Sequence, residues 1–216
     1  MNIKAAIFDL DGTLADTIPV TIKAIKETVR ELKGEELTDE EILKEFGPVD
    51  TEIVKKLVDG VRKELVEERY IKIFSESFDK CVRPIEGIIE LLDFIKSKGI
   101  RLGLFTGRGI RATEIIIEKL RLKEYFDIVI AGEHTRKPKP DPEGIMLALE
   151  KLGIRADESV YTGDFDVDIK ASRAAGTKSV LALWSSTGSE DLIGLKPDKY
   201  FRKPDEFIKW LGNTTD

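Results

Sequence analysis

The chain has 216 residues, 41% hydrophobic and 35% charged, with a formal net charge of -6. That length supports one sizeable core, or a core with a smaller attached unit, and the acidic balance argues against nucleic acid, whose phosphates need a basic surface. No apolar run approaches the ~20 residues of a membrane span, and no basic region followed by a long apolar stretch opens the chain, so neither a membrane nor a secretory route is expected and a cytoplasmic setting is.

Cys81 is the lone cysteine, which rules out an internal disulfide and reads as a packed small hydrophobe. His134 is the lone histidine and reads as a loop residue, because multi-histidine metal sites and Ser-His-Asp triads need partners that it lacks. There is no glutamine, and Asn2 and Asn213 are the only asparagines. Few thermolabile amides beside many charged pairs is a thermophile's composition.

The chain opens with an apolar run, Ile3 to Phe8, that reads as a buried strand. Two carboxylates follow, Asp9 and Asp11, with Gly12 behind them. In extended chain, residues two apart share a face, so both acids would project from the strand end. Like charges held together need a cation or a shared proton; the alternative is an ordinary Asp-Gly turn facing water. The spacing of Ile18, Ile22, Ile25, Val29 and Leu32 then predicts an amphipathic helix, ended by Gly34. Thr38 and Glu41 form a capping-box pair for a second helix, which closes near Gly47-Pro48. Helical spacing continues from Ile53 to Phe78, with Gly60 as a break. Residues 16–81 thus contain no strand candidate and read as a separate helical unit inserted after the first strand.

From Pro84 helix and strand alternate. Pro84 is expected to start a helix that Gly99 ends. Strands are expected over Arg101–Phe105, Asp127–Ala131, Ser159–Thr162 and Lys178–Leu183, with a short one at Tyr200-Phe201 and a closing helix from Asp205 to Leu211. This alternation implies an α/β fold with a parallel sheet and helices on both faces. Ligands in such sheets bind beyond the carboxyl ends of the strands. Four loops then share one edge. They carry Asp9 and Asp11; Thr106 followed by Gly107, whose N–H can approach an anion; Lys137 in a proline-rich loop; and Asp164, Asp166 and Asp168. Hard oxygen ligands without His or Cys suit Mg²⁺, and a phosphate beside a cation and a lysine would be electrostatically balanced. Each loop also has a plain alternative: a turn at Thr106-Gly107, a solvated Lys137, and Asp166 as a helix N-cap.

In order, Asp9-Leu10-Asp11-Gly12-Thr13, Thr106 after an apolar strand, Lys137-Pro138-Lys139-Pro140-Asp141, and Gly163-Asp164-Phe165-Asp166-Val167-Asp168 resemble the signatures of the haloacid dehalogenase superfamily of phosphohydrolases, and most closely its phosphoglycolate phosphatase-like subgroup. The resemblance implies a Rossmann-like three-layer α/β/α core over residues 1–15 and 82–216, with a helical cap over 16–81. It implies Asp9 as the nucleophile that forms an aspartyl-phosphate and Asp11 as general acid and base. It also implies phosphate contacts from Thr106, Gly107 and Lys137, and Mg²⁺ on Asp9, Asp11 and Asp164. Asp168 would order Lys137 or a metal-bound water, and Thr13 would support the turn at Asp11. Arg108 departs from the commoner residues after the threonine and is expected either to contact an anionic substrate or to face water. The cap turn Phe46-Gly47-Pro48 is a helix–helix connection or a substrate contact. The implied activity is a Mg²⁺-dependent phosphatase acting on a small phosphorylated metabolite. A sugar-phosphate mutase of the same superfamily is the alternative, and a phospho-receiver switch is a distant one.

Overall fold

A computed structural model describes residues 3–185 and 187–214 of the chain. The first strand, β1 (Ala5–Phe8), lies at the centre of a parallel sheet with β2 (Arg101–Phe105), β3 (Ile128–Ile130), β4 (Ser159–Gly163), β5 (Lys178–Ala182) and β6 (Lys199–Phe201), in the order β3-β2-β1-β4-β5-β6. β1 is flanked on both sides, Phe8 standing in register with Leu104 and with Thr162. A strand buried on both faces should read as a continuous apolar run, and Ala5 to Phe8 is entirely buried. Its alternation divides the core. Ala6 and Phe8 join the larger apolar cluster, while Ala5 and Ile7 join a second cluster on the other face. Helices α5 (Ile88–Ser97) and α9 (Pro204–Gly212) cover the first face through Leu92, Ile95, Phe207 and Leu211, and α7 (Glu143–Leu152) and α8 (Asp166–Ala175) cover the second through Ile145, Ala148 and Ala171.

Between β1 and α5 the described residues hold helices alone: α1 (Ile18–Lys33), α2 (Asp39–Leu43), α3 (Asp50–Leu57) and α4 (Lys63–Cys81). Helix α1 ends at Gly34 with φ 72°, and the break at Gly60 has φ 82°, left-handed conformations that glycine adopts without a Cβ clash. The Thr38–Glu41 capping box forms as its spacing predicts. Helix α1 buries Val20, Ala24, Ile25 and Val29, chiefly against α4. Burial of Val20, Ile25 and Val29 stabilises that contact by about 1.5–3 kcal/mol each. Helix α4 also packs on α6 (Ile110–Lys119), so the insertion leans on the sheet's carboxyl edge.

Three local expectations differ from the structure. Pro84 does not start α5, which begins at Ile88; Pro84 instead bridges Ala15, and Ile85 donates to the Leu14 carbonyl, tying the two ends of the insertion. Cys81 is exposed, not packed, because it is the last residue of α4. Asp166 is the first residue of α8 and Phe165 holds the N-cap position. No helix of the described residues is long and apolar enough to cross a membrane.

Candidate active site

β1, β2 and β4 deliver their loops to one edge, below the helical insertion. Asp9 is the first residue past β1, and its N–H donates to the Thr162 carbonyl at 2.8 Å, so it is held in the sheet's own frame. The chain then turns. The N–H groups of Thr13, Leu14 and Ala15 converge on the Leu10 carbonyl, and Gly12 adopts φ 73°. A Cβ at Gly12 would stand 2.2 Å from Asp164 Oδ2 and 2.3 Å from Thr187 Oγ1, so glycine is needed both for the turn and for the close approach of the β4 loop. The chain does turn at Gly12, but the two acids do not face water: Asp9 and Asp11 line one cavity of about 520 Å³.

Two clusters occupy that cavity's floor. In the first, Lys139 Nζ lies 2.9 Å from Asp9 Oδ1 and 2.7 Å from Asp168 Oδ1. It also donates to Tyr161 Oη at 3.2 Å. Tyr161 in turn reaches Asp168 Oδ1 at 3.1 Å, and the Phe165 N–H holds Asp168 Oδ2 at 3.0 Å, so Asp168 is fixed and passes that order to the lysine. Asp164 completes the group. Thr187 Oγ1 donates to its Oδ2 at 2.6 Å and Thr13 Oγ1 to its Oδ1 at 3.4 Å. Carboxylate oxygens of Asp9, Asp164 and Asp168 all lie within 4.8 Å of one another.

Burial sets the protonation pattern here. It pushes the Asp9 carboxyl well above the usual carboxylate range; Lys139 opposes this, while Asp168, Asp11 and Asp164 add to it. It raises Asp164 to about 6, reinforced by Asp168. Burial works against the Lys139 charge, but Asp168 and Asp9 outweigh it and hold the ammonium well above its ordinary value. Buried acids crowded together are strained as anions, and a hard divalent cation relieves that strain. The donor set is all oxygen, with no His or thiolate, which fits Mg²⁺ or a similar ion.

The second cluster is built around Arg108. Its Nη2 lies 2.8 Å from Asp11 Oδ1, its Nε 3.1 Å from both Asp11 oxygens, and its Nη1 3.2 Å from Asp50 Oδ2. Nη2 also donates to Thr21 Oγ1 at 2.9 Å, and the guanidinium stands 5.4 Å from the Phe74 ring centroid. Burial disfavours the guanidinium charge, but Asp11 and Asp50 overcome it. Thr17, at the N-cap of α1, makes no side-chain cap bond and gives its hydroxyl to Asp11 instead.

The expected residues sort as follows. Asp9, Asp11, Thr106, Gly107, Arg108, Asp164 and Asp168 all line the cavity. Thr106 is fully buried and its Oγ1 accepts from the Arg108 N–H at 3.1 Å. Thr13 supports the site from behind through Asp164. Lys137 is a correction: its side chain is 73% exposed and paired with Asp141 at 3.6 Å, whereas the Lys139 side chain is 10% exposed and stands against Asp9. Both lysines precede a proline and are restricted by it, but only Lys139 has proline on both sides. Arg108 does not face water: it lines the cavity with its guanidinium paired to Asp11 and Asp50. Phe46 and Pro48 are at once the α2–α3 connection and part of the cavity wall. Asp50, Tyr161 and Thr187 were not anticipated. Asp50 reads in sequence as an ordinary acid in a helix's first turn, and nothing local signals its partners.

The sequence model of the haloacid dehalogenase-like hydrolases matches residues 6–182. The chain belongs to that family. Among curated haloacid dehalogenase-like relatives it is 31% identical over 214 residues to a phosphoglycolate phosphatase of Aquifex aeolicus, covering 97% of each chain. It is 30% identical over 212 residues to the pyrophosphatase PpaX of Bacillus pumilus, covering 98% of this chain and 97% of that one. Among solved structures, a Thermotoga maritima protein assigned as a beta-phosphoglucomutase superposes with a TM-score of 0.77 at 26% identity, covering 98% of this chain and 99% of that one.

Proposed function

We propose that this phosphoric monoester hydrolase is Mg²⁺-dependent and releases phosphate from a small phosphorylated metabolite, phosphoglycolate-like or a sugar phosphate, by way of an aspartyl-phosphate. The observation that carries the reading is Asp9 Oδ1 beside Lys139 Nζ at 2.9 Å, on the same cavity floor as Asp164 and Asp168. An Asp9 oxygen attacks phosphorus, and the bond from phosphorus to the leaving oxygen breaks. Asp11 gives its proton to that oxygen, then takes one from the water that attacks phosphorus, whose bond to the Asp9 oxygen breaks to free phosphate and restore the carboxylate. Thr106 Oγ1 and the Gly107 N–H hold phosphoryl oxygens, and Lys139, fixed by Asp168, offsets their charge. Mg²⁺ would be held by the Asp9 carboxylate, the Asp11 carbonyl and Asp164, where it would neutralise phosphoryl charge. Residues 16–81 act as a cap over a core of 1–15 and 82–216, excluding water and limiting the substrate to small molecules; the reading is supported by Phe46 and Pro48 facing the same cavity as Asp9.

The test is phosphate release from a panel of phosphorylated small molecules, with and without Mg²⁺. Release that requires the metal supports the reading, and no release from any member overturns it. The likeness to a beta-phosphoglucomutase favours one second reading, a sugar-phosphate mutase. A hexose phosphate in the panel separates the two, since free phosphate means hydrolysis and an isomerised sugar phosphate means transfer.

A further inference from the structure

The loop after β5 brings a fifth segment to the site, beyond the four that strand alternation places there. Leu183 extends β5, its N–H donating to the Phe201 carbonyl at 2.9 Å. The chain then doubles back. The Gly188 N–H donates to the Ser185 carbonyl at 3.2 Å, and a Cβ at Gly188 would stand 2.9 Å from Leu183 Cα. Trp184 anchors the loop twice. Its indole N–H donates to the Thr13 carbonyl at 2.9 Å, and its ring stacks on Phe207 of α9 with centroids 6.4 Å apart. Thr187 is thereby held in the cavity wall, where its Oγ1 donates to Asp164 Oδ2 at 2.6 Å. That bond uses the one proton a hydroxyl has, so across the 2.8 Å between Ser185 Oγ and Thr187 Oγ1 the serine is the donor. Two hydroxyls thus run in series onto one carboxylate oxygen, and bonds to an ionised acceptor are among the stronger ones. The other oxygen is held less firmly, since Oδ1 accepts from Thr13 Oγ1 at 3.4 Å.

We infer that Thr187 sets which divalent ion the site prefers: by holding Oδ2 it leaves Asp164 one oxygen, Oδ1, to give to a cation. The inference rests on the metal-dependent reading above and goes beyond it to the choice of ion. Mg²⁺ is small and demands near-octahedral geometry, and the two oxygens of one carboxylate lie too close together to fill two octahedral positions. Ca²⁺ is larger, takes more oxygens and accepts a carboxylate through one oxygen or both. A carboxylate with one oxygen already committed therefore suits the first ion and denies the second a ligand atom. Selection between them turns on ligand number and flexibility, and Thr187 restricts both. It is a positioning residue: it acts through Asp164 and needs no contact with the ion.

The experiment is isothermal titration calorimetry of Mg²⁺ and of Ca²⁺ into the metal-free full chain. Thr187→Val keeps the shape of the side chain and removes its hydroxyl. It should raise the Kd for Mg²⁺ by about tenfold, the low end of what removing a partner of a metal-ligating carboxylate costs, and raise that for Ca²⁺ less, so the preference for Mg²⁺ over Ca²⁺ falls. Thr187→Ser, which keeps the hydroxyl, should restore both values. Melting curves in chelator report whether each variant is folded; if valine is not accommodated, Thr187→Ala removes the same hydroxyl and is read the same way. A ratio of the two Kd values that matches the wild type in a folded Thr187→Val or Thr187→Ala, or that serine fails to restore, overturns the role of Thr187. Phosphate released from p-nitrophenyl phosphate by the wild-type enzyme with Mg²⁺ then leaves the phosphatase reading standing. A wild-type chain that binds neither ion overturns the inference and the metal-dependent reading together.

Discussion

Lys139 and Arg108 are each a buried cation between two carboxylates, yet the two clusters are built differently. The Lys139 cluster draws Asp9, Tyr161 and Asp168 from β1, β4 and α8, all parts of the sheet and its loops. The Arg108 cluster spans two units: Asp11 and Arg108 come from the sheet edge, while Asp50, Thr21 and Tyr70 come from helices of the insertion. A cation fixed entirely within a sheet edge keeps its position whatever the insertion does, which suits the phosphoryl contact proposed for Lys139. A cation shared between sheet and helices ties the two together, so its pairing is chiefly a matter of assembly and fit. The Lys139 cluster is thus anchored in the sheet edge alone, whereas the Arg108 cluster, which includes the proposed acid–base residue Asp11, also ties that edge to the insertion.

The largest expected effect breaks that comparison at the first cluster. Lys139→Ala should lower kcat by about 100- to 1,000-fold, the range found when one preorganised charge at a developing anion is removed. Lys137→Ala, on an exposed side chain, should stay within about twofold. Equal losses in the two variants would return the role to the loop as a whole.

The second cluster should fail first in stability. Arg108→Ala leaves Asp50 and Asp11 without their cation. Removing one partner from a buried pair costs about 3 kcal/mol or more, a fall in Tm of about 6–12 °C for a chain of this size. Scanning calorimetry checks this, and a change of less than about 1 kcal/mol would mean the pair is not a tie between the units. Arg108→Lys should not restore the stability, because an ammonium cannot match the fork that spans both acids.

The smallest effect sharpens the contrast through pH. Asp164 titrates near 6 when folded against an ordinary value of 3.8. Its raised value means the metal-free folded state takes up a proton before the unfolded state does, so this group adds stability as pH falls from about 7 toward about 4. A cation needs the carboxylate, so the Tm gain from Mg²⁺ should shrink as pH drops through about 6. Thermal melts with and without Mg²⁺ at several pH values follow it. A gain independent of pH, retained in Asp164→Asn, would remove Asp164 from the metal's ligands.

What could be read in advance follows from the range of the forces involved. Local patterns were legible: the Thr38–Glu41 box, the Gly34 stop, and an apolar β1 that had to lie inside a parallel sheet. The edge that gathers Asp9, Thr106 and Asp164 follows from strand alternation, because parallel strands end on the same side. Lys139 was missed in favour of Lys137 since two lysines two residues apart share chemistry and pattern, and only the path of the loop decides which one reaches Asp9. Arg108 was illegible for a different reason. Its partners Asp11 and Asp50 are 97 and 58 residues away, and Asp50 sits in a helix whose docking on the sheet no local spacing records. Cys81 came out exposed because residue preference says little about a helix's last position.

One carboxyl oxygen, on Asp9, carries the proposed chemistry. Enzyme mixed with p-nitrophenyl phosphate and Mg²⁺, acid-quenched within the first turnover and digested, should yield the peptide carrying Asp9 with the added mass of one phosphoryl group, and Asp9→Asn should neither gain that mass nor release p-nitrophenol. Phosphate found on another residue, or turnover largely retained in Asp9→Asn, would contradict the assignment.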